Sequence, residues 1–355
     1  MRILIVGAGV AGCTIANEMQ KAGHDVYLID QHPGIAKETS SHAGALAHPH
    51  LTRRPARLQK FTRFANRMAF AQWQDHQRFN GAFQPLEQED WESADKMQAK
   101  LSLLNFSKEE AVPLDADKAL AFVGISKPGI FYPEAGIYDL KEISKSAIKN
   151  IPKENLLLQK EVKSIKTSDG KWFVLDANNE EILSGDALIL ANGVGVKNLL
   201  ESLSIKLHLR PVRGQLSKFQ IDHTSPWVKH LPKRPMCGEG YCMPALTLNE
   251  SQFLWEVGSS YDEGEFDLTP RASSDEHNRE QARTLLNNPD LPLEDLVALE
   301  PFVGVRSVSG DRLPLIGPVP SKPGLFIASA YGARGVLWSA VTPGLIARQV
   351  EAFFL

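Results

Sequence analysis

The chain of 355 residues is long enough for two domains, and 43% hydrophobic with 23% charged residues is ordinary for a soluble globular protein. A formal net charge of -3 excludes a generally basic nucleic-acid binder, though not a local basic patch. The three cysteines, Cys13, Cys237 and Cys242, leave one unpaired and lack zinc-site spacing, which argues against a disulfide framework and suits a reducing cytoplasm.

Met1 to Val6 is a short apolar run that leads into Gly7, Gly9 and Gly12 and then into a helically patterned stretch from Cys13 to Ala22. That order reads as strand, tight turn and helix. Gly7 makes the turn, Gly9 lets the backbone approach a pyrophosphate, and Gly12 lets helix pack on strand. Phosphates would then sit on the free amides of the helix N-terminus. A second apolar run, Val26 to Ile29, ends at Asp30, eighteen residues beyond Gly12, where a carboxylate can accept both ribose hydroxyls. The glycines inside this start argue against a cleaved signal peptide. The longest uncharged stretch, Gly335 to Ala347, is too short to span a bilayer and contains Pro343.

Six basic residues and no acid lie between Arg53 and Arg67. Arg53, Arg57, Lys60, Arg63 and Arg67 follow helical spacing and form a cationic stripe, with Leu58, Phe61, Ala65 and Met68 on an inward face. The stripe is either a solvated face or a phosphate-tracking surface. From Gln84 to Val123 the chain is acidic and helix-prone and reads as an insertion without a site. Val162 to Thr167 and Lys171 to Ala177 read as strands flanking the turn Ser168 to Gly170. Ala187 to Leu190 reads as a buried parallel strand that ends in Ala191, Asn192 and Gly193, small enough to pass a nucleotide. Short strands and Pro-rich turns from Val212 to Glu300 suit an antiparallel substrate-covering sheet. Gly324 to Ala328 reads as another buried strand, and Ser339 to Phe354 as a closing helix.

Further stretches carry a family likeness: Ala187 to Gly193, Pro211 to Gln215 (PVRGQ), Gly304 to Ser307 (GVRS), Gly310 to Gly317 (GDRLPLIG) and Tyr331 to Gly335 (YGARG). With these, the chain resembles the FAD-dependent D-amino-acid oxidase and glycine oxidase superfamily over essentially its whole length. Ala43 to Leu46 with Pro49, Cys237 to Ala245 (CGEGYCMPA) and Gly258 to Asp262 (GSSYD) further resemble the oxidoreductase half of the bifunctional tRNA 5-methylaminomethyl-2-thiouridine biosynthesis family. The likeness is to the oxidoreductase half alone, and if it holds, methylation would need another protein.

The resemblance implies an α/β fold, α+β overall, with a Rossmann-like FAD-binding domain and a discontinuous antiparallel-sheet substrate domain like that of glycine oxidase. Residues 1–80, 140–210 and 301–355 would form the first, and 81–139 and 211–300 the second. FAD would be held without a covalent link by Gly7, Gly9, Val10, Ala11, Gly12, Asp30 and Gln31 at the nucleotide end. Ser40, Ser41, Ala43, Gly44, Ala45, Leu46, Val162, Ala191, Asn192 and Gly193 would follow, with Arg306, Gly332, Ala333, Arg334, Gly335 and Val336 around the flavin. Ser40 and Ser41 could equally be plain capping or turn residues.

Amine oxidation by a flavin needs a neutral amine held with its Cα–H facing N5, so positioning is the protein's task. A guanidinium fork suits a substrate carboxylate. The resemblance places Arg306, Arg334 and Tyr241 there, the alternative for Arg306 being an ion pair to Asp311. No metal is expected. His42, His48 and His50 fall near the flavin side, where His48 or His50 could tune amine protonation near neutral pH. The substrate implied is the carboxymethylaminomethyl group of wobble uridine in tRNA, an N-substituted glycine, oxidised to glyoxylate and aminomethyluridine. The basic stripe would hold the anticodon stem. Two other readings stand beside it: an oxidase or dehydrogenase of free glycine, sarcosine or D-amino acids, and a non-catalytic FAD-binding protein.

Overall fold

The computed structural model describes residues 1–42 and 44–354. The strand Arg2–Val6 is buried on both faces because alternate side chains enter two different cores. Ile3 and Ile5 meet the helix Val10–Lys21 through Cys13, Ile15 and Met19. Leu4 and Val6 meet Ile165, Trp172 and Val174 of a three-stranded antiparallel sheet, Ser164–Ser168, Lys171–Leu175 and Glu181–Gly185. Trp172 fills that second core with its indole nitrogen donating to the Pro323 carbonyl at 3.0 Å, so its one polar atom is satisfied.

Around Arg2–Val6 a six-stranded sheet forms in the order Leu315–Pro318, Leu325–Ser329, Ala187–Leu190, Arg2–Val6, Asp25–Ile29 and Leu156–Leu157. All neighbours are parallel except the first pair. From Arg2–Val6 the next strand lies on one side and Ala187–Leu190 on the other, so the glycine turn sits where the strand order reverses. Ligands of open α/β sheets bind at that crevice. The closing helix, Gly335–Phe354, packs on Val10–Lys21 and begins four residues earlier than its apolar pattern predicts, taking Pro343 into its interior.

The second sheet has eleven strands. Its spine is Arg210–Asp222, paired antiparallel with both Gln252–Gly258 and Val297–Val308. One face packs on the helix Ala272–Leu285 through Phe219, Ile221, Trp255 and Val257. The helix was not evident in the sequence, whose Ala272 to Leu285 stretch buries only Ser274, Asn278, Ala282 and Leu285. The opposite face looks toward the first sheet's crevice. The insertion from Gln84 to Val123 supplies the helices Ala94–Leu103 and Ala116–Val123 and the short strand Val112–Leu114. No described helix is long and apolar enough to cross a membrane.

A Cβ on Gly12 would stand 1.8 Å from the Gly7 carbonyl oxygen, so strand and helix touch through backbone. Gly12→Ala is therefore expected to destabilise the protein by about 3 kcal/mol or more, at or above the top of the usual overpacking range. Thermal unfolding checks this, and an unchanged midpoint would show that the pair can separate without loss.

Candidate functional site

Gly7 adopts φ +105°, and a Cβ there would lie 2.6 Å from the Ala191 carbonyl oxygen. The turn thus needs glycine for both its conformation and its closeness to the neighbouring strand. Around Gly9 only the Ser40 hydroxyl comes near, at 3.3 Å from where a Cβ would be, leaving room for a ligand beside the helix N-terminus. The Ser40 Oγ accepts from the Val10 amide at 3.1 Å at the start of that helix, and the residue also lines the cavity. Asp30 ties the turn together, Oδ2 accepting from the Ala8 amide at 2.6 Å and Oδ1 from the His32 amide at 2.8 Å.

A cavity of about 710 Å³ runs from Asp30 to the large sheet, well inside the roughly 300–1,000 Å³ of ligand sites. Gly7, Gly9, Val10, Ala11, Asp30, Gln31, Ser40, Ala45, Leu46 and Val162 line it. So do Ala191, Asn192, Gly193, Tyr241, Arg306, Gly332, Ala333, Arg334, Gly335 and Val336. Gly12, Ser41 and Gly44 are not on its wall, and Ala43 lies outside the described residues. Val162 precedes the strand Ser164–Ser168 instead of opening it. Sequence reasoning missed Lys160, whose amide donates to the Asp30 carbonyl at 2.9 Å, and Phe302, Gly304 and Leu216 on the sheet face. The Asn192 Oδ1 atom on the wall is buried with no partner among the described residues, as expected of a group that meets a polar ligand. None of the three cysteines lines the cavity; all are free and buried, and burial pushes the Cys13 thiol up to about 12.

At the sheet end, Arg306 pairs in register with Val212, and its guanidinium lies flat over Gly214. A Cβ at Gly214 would be 2.2 Å from Arg306 Nη2, so this glycine gives the arginine its place. Arg306 donates to the Ser259 hydroxyl and to the Ser260 carbonyl at 3.4 Å, and pairs with no carboxylate among the described residues. The alternative pairing with Asp311 does not form, because that carboxylate takes Ser309 Oγ and the Leu313 amide, each at 3.1 Å. Burial lowers the pKa of Arg306, opposed by Tyr261, Tyr241 and Asp262. The Tyr241 hydroxyl donates to the Gly44 carbonyl at 3.1 Å, and burial raises its pKa, keeping it a neutral donor. Arg334 reaches His50 Nδ1 at 3.4 Å.

Glu256 was missed. It is fully buried next to Lys218 in register, neither carboxylate oxygen has a partner among the described residues, and burial pushes it up to about 6.

The stripe differs from its expected form. The helix runs Arg57–Trp73, and Arg53 precedes it. Arg63 bonds Glu110 at 2.8 Å, Arg67 approaches the same carboxylate at 4.0 Å, and Arg53 faces Asp90 at 3.9 Å. Arg57 and Lys60 make no ion pair among the described residues. Phe61 is 48% exposed, against expectation, beside Phe64 at 57%; the buried face is Gln59, Thr62, Ala65, Asn66 and Ala69. Hydrogen bonds explain the exchange, since Gln59 reaches the Leu104 carbonyl at 2.9 Å, Thr62 Oγ1 accepts from the His50 amide at 2.9 Å and Asn66 reaches Glu134 at 3.1 Å.

Burial pushes His42, His48 and His50 each down to about 4, reinforced by Arg306 at His42 and by Arg334 at the other two. They are neutral at pH 7, so tuning of amine protonation near neutrality by His48 or His50 is not supported. The unfolded chain, with histidines near 6.5, binds more protons than the folded one between about 4 and 6.5. Stability contributed by the neutral rings is present above 6.5 and lost as pH falls through that window. Glu256 acts in the opposite sense, so the comparison must be between variants. His48→Gln is expected to lose less of its unfolding midpoint than the parent between pH 6.5 and 4, and parallel profiles would contradict the shift.

The model of the FAD dependent oxidoreductase family (DAO) matches residues 2–349. The chain is 30% identical to the tRNA 5-methylaminomethyl-2-thiouridine biosynthesis bifunctional protein MnmC of Ralstonia nicotianae, over 98% of this chain and 57% of that protein. It therefore spans a little over half the length of that relative. Its fold matches glycine oxidase from Geobacillus kaustophilus with a TM-score of 0.78 at 20% identity, covering 99% of this chain and 95% of the other. Iminodiacetate oxidase from Chelativorans sp. BNC1 matches with a TM-score of 0.79 at 19% identity and the same coverage.

Proposed function

The chain belongs to the family of FAD dependent oxidoreductases, and from that premise we propose that it oxidises the C–N bond of an N-substituted glycine, the carboxymethylaminomethyl group of wobble uridine in tRNA. The products are glyoxylate and aminomethyluridine. The observation that carries this reading is Arg306, a guanidinium on the cavity wall that pairs with no carboxylate among the described residues. A cation so placed fits a substrate carboxylate. The likeness to MnmC along 98% of the chain supports tRNA as the bearer of that glycine arm and the cytoplasm as its location.

The residues fit FAD. The glycine turn and the N-terminus of Val10–Lys21 suit its pyrophosphate, Asp30 and Gln31 its ribose, and Gly332 to Val336 its ring system. With no cysteine on the wall, we assign it a non-covalent place. Bound there, FAD would supply the two-electron acceptor for the hydride on the carbon between the substrate's carboxylate and nitrogen. Water then adds to the resulting C=N bond, whose cleavage separates glyoxylate from the amine.

The protein's own groups position this carbon. Arg306 holds the carboxylate, held flat by Gly214 and steadied by Ser259 and Ser260. Tyr241, neutral and with a second lone pair free of its bond to Gly44, offers a further contact, and Arg334 on the cavity wall a second cation for the carboxylate. Pinning the carboxylate makes the C–H approach an intramolecular matter, where much of the rate gain of such reactions lies.

Anaerobic mixing tests the proposal. Bleaching of the flavin band is expected with tRNA carrying carboxymethylaminomethyluridine; bleaching with glycine, sarcosine or D-alanine alone would replace the tRNA reading by a small-amine one. Arg306→Ala should weaken the apparent affinity for the reacting substrate by about 2–5 kcal/mol while FAD content holds. Unchanged affinity would remove Arg306 from the site. On the outer helix face, Arg57→Glu with Lys60→Glu should lower tRNA affinity and flatten its dependence on salt, the slope dropping by roughly 0.7–0.9 for each phosphate no longer neutralised. An unaltered slope would leave that face simply solvated.

A further inference from the structure

The segment that follows Arg306's serine partners runs as a strap along the edge of the large sheet, pairing through Asp262–Glu263 with Val212 and Arg213. Arg213 neighbours Gly214 in sequence but points to the opposite face of the sheet, where it is fully buried. It holds the strap at three places: Nη1 donates to Asp262 Oδ2 at 2.8 Å, Nε to the Asp267 carbonyl at 2.7 Å, and Nη2 to the Thr269 carbonyl at 2.7 Å. Gln215 adds a reciprocal pair, accepting from the Arg271 amide and donating to the Arg271 carbonyl, both at 2.9 Å. The strap is therefore fixed by charge-assisted bonds from the sheet core.

On this fixed strap stand two aromatic rings that do not enter the core. Tyr261 is 46% exposed, with its ring centroid 6.0 Å from the Arg306 guanidinium carbon. Phe266 is 62% exposed and lines the cavity. Phe266 thus faces the cavity, and Tyr261 stands beside an arginine of the cavity wall.

We propose that Tyr261 and Phe266 are specificity-determining residues that stack on the uracil ring of the substrate while Arg306 holds its carboxylate. This rests on the tRNA reading above. Four bonds separate the carboxylate carbon of a carboxymethylaminomethyl arm from the base, which at about 1.5 Å each span roughly 5 Å when extended. With its carboxylate on Arg306, an arm of that length lets the base come within reach of Tyr261. Aromatic faces accept a nucleobase, and an enzyme acting on a base's substituent must hold that base out of its stack. A free glycine-type amine has nothing to place against these rings.

The test compares carboxymethylaminomethyl-tRNA with N-ethylglycine, the arm with a methyl group where the base would be, used as substrate or as competitor on the FAD-loaded protein. In Tyr261→Ala and Phe266→Ala the tRNA KM should rise about fivefold to a hundredfold per ring relative to the constant for N-ethylglycine, the range expected for base–aromatic stacking. Tyr261→Phe should retain the parent ratio, since the ring and not the hydroxyl is required. An unchanged ratio in the double alanine variant overturns the stacking while leaving tRNA oxidation intact. Equal losses for both substrates overturn it in favour of a structural role for the strap. If the parent protein is reduced by small amines and not by the tRNA, the functional reading fails first and the stacking fails with it.

Discussion

The fold depends on one backbone contact, the approach of Gly12 to the Gly7 carbonyl, which lets the helix Val10–Lys21 lie directly on the end of Arg2–Val6. No side chain mediates it. Because the helix is seated so closely, its free amides open at the point where the strand order reverses, with Ala191 packed against the other side of the turn. Asp30 completes the arrangement by taking the Ala8 and His32 amides, so the acid that can meet a ribose also fastens the glycine loop. The glycine turn and the acid are thus bonded into one unit that leaves the helix's first amides facing the cavity, the arrangement an anion site made of backbone amides requires.

The other end of the cavity is built on alternation along one strand. In Arg210–Asp222, residues of one parity face the helix-covered or strap side and those of the other face the cavity. Arg213 and Gly214 are neighbours with opposite fates. The first is buried and bound to Asp262 and two carbonyls, the second is bare so that Arg306 can lie across it. Structural and ligand-facing arginines are therefore separated by the thickness of the sheet, and both act on the same region of the cavity mouth.

Much of the nucleotide half was legible from the chain because its signals are local. Glycine spacing, an apolar run and an acid at a set distance all act within thirty residues, and the structure brings them to one cavity. The basic helix was legible as a helix and in most of its inward face, since Leu58, Ala65 and Met68 pack on the core as expected. Phe61 is the exception: it faces outward with Phe64, while Gln59, Thr62 and Asn66 go inward to backbone groups of Leu104, His50 and Glu134 that only the tertiary structure supplies. Two of its cations share Glu110, from a segment legible as acidic but not as lying against this helix. The three histidines near the flavin side likewise differ from a sequence reading because burial and two arginines, none of it visible locally, keep them neutral.

The chain alone determined the dinucleotide turn and, by resemblance, the family and the set of arginines and glycines that reappear around one cavity. These rest on short-range steric demands, which a linear pattern records faithfully. The tertiary structure decided which arginine is free to meet a ligand, which is committed to holding the strap, and where exposed aromatic rings stand relative to both. Such questions turn on strand parity and on partners far apart in sequence, such as Tyr241 with Gly44 and Arg334 with His50. A pattern of residue types carries no record of those pairings, because only folding brings their atoms to the same place.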